Sequence, residues 1–347
     1  MYLTNSSSVH DNQFAFNSFL IKSFSSGQQI EKGKEKIVYH YTSPNAFLSI
    51  VQNQKIRFTD IRYLNDKSEG IYFVKVLLDF LEKYRNEYPH FNEVVNNLLK
   101  ENDFEKIRNL EVTNINYNES PSTGYREQRV FVFCTCAEAD SLNMWNYYVN
   151  NGEYQGYNIG FRVEELIKTF DVPDEKHLDS FRVYYGKVLY SEREHFDEIR
   201  RFAETTEQYI NLSLSRGDSD VKKAVAYEQI RLRNYIVSCG PFFKHPKFKS
   251  EEEFRVVLAI AEDSVPHGED AQRYYGKNNK EIREEFSVKR GLIVPCLSVV
   301  IPQKSIYRVT IAPMMEFDIA KKSIRELLET KNVKNVRIYK SNIPIRF

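Results

Sequence analysis

Ser250-Glu251-Glu252-Glu253-Phe254-Arg255-Val256-Val257-Leu258 sets carboxylates and a guanidinium at every second position. If this stretch is a strand, alternation puts Glu251, Glu253 and Arg255 on one face and Phe254, Val256 and Leu258 toward a core. Clustered carboxylates raise one another's pKa, and a neighbouring arginine holds them ionised, so such a row can present one charged oxygen to a ligand. The plainer alternative is a strand entry with a solvated acidic end and an ordinary ion pair. His40 is the second candidate, between Tyr39 and Tyr41. Thr42-Ser43-Pro44 follows with capping hydroxyls and a proline suited to a first helical position. The free N–H groups of that helix would lie beside His40 and favour a phosphate or carboxylate. A packing histidine is the alternative.

Asn65-Asp66 with Glu69 could ligate a metal, although such side chains more often close turns. Trp145 and Tyr148 stand one helical turn apart, either as core or as a surface for a flat ring. Cys134-x-Cys136 has no partner at zinc spacing in Cys239 or Cys296. Walker, G-x-G-x-x-G and G-x-S-x-G motifs are absent from the sequence.

Positioning these groups requires strands at Ile37–Tyr41, Lys55–Thr59, Arg129–Cys136, Tyr157–Phe161, Val183–Tyr190 and Glu253–Ile260. Further strands are expected near Glu285–Lys289, Leu292–Pro295, Tyr307–Ile311 and Val336–Tyr339. Apolar spacing predicts helices over Asn45–Gln52, from Ser68 to Asn109, over Ser141–Val149 and over Asp318–Thr330. Glu192–Ser238 reads as a helical hairpin broken at Ser215-Arg216-Gly217-Asp218. Residues 1–34 read as an arm and 35–347 as one domain, with helical insertions near 68–110 and 192–238. The expected fold class is α/β or α+β in a single domain; the split mixed β-sheet core expected with it is what the resemblance described below implies.

Composition fits a globular chain: 41% apolar, 28% charged, 14% aromatic. No apolar run is long enough for a membrane span, and the start of the sequence lacks a signal-peptide pattern. Four cysteines fit reduced thiols, so a cytoplasmic protein is expected. Lys+Arg against Asp+Glu is 49 to 48, which gives no global attraction to nucleic acid, though a local groove could still be basic.

Tyr39-His40-Tyr41-Thr42-Ser43, Leu64-Asn65-Asp66 with Glu69, Met144-Trp145 with Tyr148, Ile159-Gly160-Phe161, Glu251-x-Glu253-Phe254-Arg255 and Ser341-x-Ile343-Pro344 together resemble a bacterial domain-of-unknown-function family. The chain departs from the family pattern at Gln155-Gly156, where a histidine is common. More distantly, the His-x-Thr strand, capped helix and late Glu-x-Glu strand resemble ADP-ribosyltransferases, including DarT-type enzymes, and imply an ADP-ribosyltransferase-like split sheet. The resemblance implies NAD as substrate, with His40 bonded to a ribose and Trp145 or Tyr148 stacked on nicotinamide. Tyr41, Thr42, Asn65 and Arg255 would complete the NAD contacts. Glu253 would stabilise the oxocarbenium-like charge and Glu251 would orient an acceptor, protein or nucleic acid. The expected activity is an NAD-dependent ADP-ribosyltransferase or NAD glycohydrolase of bacterial conflict or phage defence. One alternative is a metal-dependent nuclease or hydrolase using His40, Asp66, Glu69, Glu251 and Glu253. The other is a non-enzymatic sensor whose long helices meet a partner.

Overall fold

The structure, a computed structural model, describes residues 21–23, 36–65, 71–101, 128–149, 154–170, 181–215, 221–261, 273–274, 281–289 and 291–345. Its strands are β1 (Ile21–Ser23), β2 (Ile37–Thr42), β3 (Lys55–Asp60), β4 (Gln128–Cys136), β5 (Tyr157–Arg162), β6 (Phe181–Lys187), β7 (Glu253–Ala261), β8 (Arg273–Tyr274), β9 (Glu281–Lys289), β10 (Leu292–Val300), β11 (Ile306–Ile311) and β12 (Arg337–Lys340). The helices are α1 (Pro44–Asn53), α2 (Ile71–Tyr84), α3 (Pro89–Glu101), α4 (Leu142–Tyr148), α5 (Val163–Ile167), α6 (Glu192–Ser215), α7 (Val221–Cys239) and α8 (Phe317–Thr330).

Among the described residues, twelve strands form one sheet. It is mixed: β1–β6 and β11–β12 pair in parallel, while β4–β7, β6–β7, β2–β5 and β3–β10 run antiparallel. The sheet also splits. One edge of β4 pairs with β7 from Gln128 to Cys136. The other edge meets β3 only at Phe131 and Val132, and β2 only at Cys136. From that divergence β2 leads to β5, β11 and β12, whereas β3 leads to β10, β9 and β8. Phe133, Cys134 and Thr135 therefore lie in the crotch of a fork, and α1 joins its two limbs.

Alternation explains the layers. Val130 and Val132 of β4 pack with Val257 and Ala259 of β7 under α2, α3, α6 and α7. Phe131 and Phe133 pack with Val256 and Leu258 on the opposite face, together with Phe47 and Val51 of α1 and Ile324 of α8. Helices cover both faces of the central strands, which is why β7 reads as a nearly continuous apolar run. The α6–α7 hairpin contributes Ile199, Ala203, Leu232 and Ile236 to the core, so its inner face is packing and not a display surface.

Several expected boundaries shift. Glu251 is not in the strand: it ends a 3-10 turn over Pro246–Glu251, and left-handed Glu252 (φ 42°) separates it from β7. The strand expected over Val183–Tyr190 spans Phe181–Lys187, and Leu189 forms only a bridge to Phe243. β1 and α5 were not anticipated, because elements of three and five residues are too short to show periodicity. Most of the 1–34 arm, the stretch 102–110 and the Arg216–Asp218 break lie outside the described residues. No helix among the described residues is long and apolar enough to cross a membrane.

Candidate functional site

A cavity of about 700 Å³ opens in the fork. Such a volume is within the usual range for small-molecule sites. His40, Tyr41 and Thr42 of β2, Asn65, Tyr148 of α4, and Glu253 and Arg255 of β7 all line it. The face of α1 carrying Ala46, Ser49, Ile50 and Asn53 forms another wall. That spacing follows the helical repeat, with Phe47 and Val51 turned into the core. Ser43 caps α1 by accepting from Ala46 N at 3.3 Å, so the positive end of the helix lies at the cavity. Lys55, Arg57, Lys244 and Lys289 add cationic groups to the walls.

His40 is held across the crotch. Its Nδ1 lies 3.1 Å from the Cys134 carbonyl oxygen, which can only accept, so Nδ1 bears the proton and Nε2 keeps its lone pair. Burial, partly countered by that bond and aided by Lys289, pulls the imidazole pKa down to about 4. At neutral pH His40 is thus an uncharged acceptor. Phe133 packs on its ring at 4.9 Å.

The acids form one buried network. Lys244 Nζ donates to Glu251 Oε2 at 2.7 Å and to Glu253 Oε1 at 2.8 Å, and Arg255 Nε donates to Glu253 Oε2 at 2.5 Å. Arg255 also donates to the Pro241 carbonyl, and the Glu253 N–H to the Tyr190 hydroxyl. Burial alone would raise the Glu253 pKa, but Arg255 and Lys244 overcome it and hold the carboxyl well below the usual range. Glu251 goes the other way: burial, then the adjacent Glu253 carboxylate, push it up to about 7. The two carboxyls are thus driven apart, one firmly charged and one near its titration point at neutral pH. Glu251 does not line the cavity, yet Tyr148 does, and its hydroxyl donates to Glu251 Oε2 at 3.3 Å.

Trp145 is placed differently from the expectation of a ring-stacking surface. It is wholly buried, packs edge-on against Tyr41 at 4.7 Å and does not line the cavity. Its Nε1–H donates to Asp140 Oδ1 at 2.7 Å. Asp140 also accepts from the Ser341 hydroxyl and the Asn342 N–H, each at 2.7 Å, so the C-terminal segment is tied to the base of α4.

Lys244 was not singled out from sequence, although it bridges both acids. A signal existed: one lysine embedded in Gly240-Pro241-Phe242-Phe243-Lys244-His245-Pro246, an apolar setting that a lysine enters only with a partner. Asp66 and Glu69 lie outside the described residues. No three of His, Cys, Asp and Glu gather as a metal-binding group among the described residues. None of the four cysteines is in a disulfide.

No curated protein and no solved structure matches the chain. Residues 144–256, the stretch bearing Tyr148, Lys244, Glu251, Glu253 and Arg255, match the model of the family described as Protein of unknown function (DUF2971), which bears out the resemblance to a domain-of-unknown-function family for that part of the chain.

Proposed function

We propose that the cavity binds NAD and that the protein transfers or hydrolyses its ADP-ribosyl group with release of nicotinamide. The observation that supports this best is the convergence of His40 and Glu253, more than two hundred residues apart in sequence, on one cavity together with Tyr148. Lys55 and Lys289 on the walls and the N-terminus of α1 suit the pyrophosphate. His40 Nε2 accepts from a ribose hydroxyl, and Tyr148 offers a ring for nicotinamide in place of Trp145. Glu253, ionised and fixed by Lys244 and Arg255, supplies negative charge beside the anomeric carbon as the C–N bond breaks. No reorganisation is needed at that moment, because both oxygens are already held.

The test is nicotinamide release from NAD by purified protein. Glu253→Gln keeps the shape and removes the charge, and a loss of about a hundredfold or more in kcat is expected. Circular dichroism and thermal melting verify the fold, since the change also weakens two buried ion pairs. Unchanged turnover in a folded variant removes Glu253 from the mechanism.

A further inference from the structure

Resting on that reading, we infer that the acceptor is an oxygen nucleophile, water or a hydroxyl group, activated by Tyr148 backed by Glu251, and not a guanidinium. A guanidinium acceptor needs a carboxylate of its own, besides the Glu253 that faces the anomeric carbon. Here Glu251 and Glu253 already share Lys244, and Glu253 also holds Arg255, with all four groups buried. Glu251 does not line the cavity, and Glu285, the other acid on its wall among the described residues, is paired with Arg57 at 3.4 Å. Tyr148 does line the cavity, and its phenol is bonded to Glu251 behind it.

The chemistry balances without a further reactant. The bond between the ribose anomeric carbon and the pyridinium nitrogen breaks, its electron pair leaving with nicotinamide, which departs neutral. The acceptor oxygen forms the new bond to that carbon. Its proton passes to the Tyr148 oxygen as the Tyr148 proton passes to the Glu251 carboxylate, along the 3.3 Å hydrogen bond. Burial and the charges of Glu251 and Glu253 disfavour a free phenolate, so Tyr148 serves as a relay and not as a stored base. The charged and titratable groups that act on Glu251 and Tyr148 are Glu253, Lys244 and Cys134. Glu251 must be ionised to receive the proton, so the rate rises with pH through about 7.

The experiment measures products and pH profiles with NAD, using methanol as a hydroxyl probe and agmatine as a guanidinium probe. An O-methyl ADP-ribose adduct with no agmatine adduct is expected from wild type. Tyr148→Phe should lower kcat about a hundredfold with little change in KM for NAD, and it should remove the limb near pH 7. Glu251→Gln should remove the same limb. An agmatine adduct overturns the inference while leaving nicotinamide release intact. So does a Tyr148→Phe variant with wild-type kcat and pH profile. Absence of nicotinamide release from wild-type protein overturns both the glycosyl-transfer reading and this inference.

Discussion

In an unfolded chain His40 would take up a proton as pH falls through its ordinary value of 6.5, whereas in the folded protein it resists until about 4. Between those values the unfolded state binds more protons, so stability rises with pH across that window and is lost as pH falls. The difference is at most about 3 kcal/mol, less whatever solvent contact the ring keeps. His40→Gln should flatten the slope of denaturation free energy between pH 4 and 6.5 relative to wild type. A parallel slope in both proteins would mean that another group carries it. The imidazole and Glu253 were legible in the sequence because charged and ring residues at strand ends stand out from their apolar neighbours. Lys244 was not, because what makes it matter is the position of two acids brought to it by a turn and by left-handed Glu252. The same turn is why the simple alternation of Glu251, Glu253 and Arg255 failed while their association survived. Trp145 misled for a related reason: an aromatic on a short helix looks the same whether it faces a ligand or Asp140.

Among the elements, β2, β4 and β7 were readable from alternation, and α1 from its cap and proline, because each is long enough for a period to repeat. Their meeting at a fork was implied by the resemblance alone, since one-residue pairing between β2 and β4 leaves no trace in composition. The approach of β5 to β2 gives a separate test. A Cβ on Gly156 would stand 2.5 Å from the Thr42 carbonyl oxygen and equally close to Val149 Cγ1. Gly156→Ala must therefore push the end of β2, where Thr42 lines the cavity, or α4's C-cap residue Val149. A loss of about 1–3 kcal/mol in urea denaturation is expected from such overpacking. NAD affinity by calorimetry should weaken as well, and an unaffected affinity would show either that Val149 takes up the strain or that Thr42 plays no part in holding NAD.

Across the whole molecule the cavity is a property of the sheet and not of a loop. Helices on both faces fix β4 and β7, so the angle between the two limbs is set by the core before any ligand arrives. The bond from His40 to the Cys134 carbonyl ties the β2 limb to β4 in the crotch of the fork. A site of this kind is preorganised, which favours charge stabilisation over induced closure.

The clasp at Asp140 carries that rigidity to a distant stretch of chain. An occupant resting on Tyr148 would steady α4, hence Trp145, hence the carboxylate that receives the Asn342 amide proton. Deuterium uptake at Asn342 should then slow when NAD is added and quicken in Asp140→Asn, so a backbone amide far along the sequence would act as a gauge of occupancy.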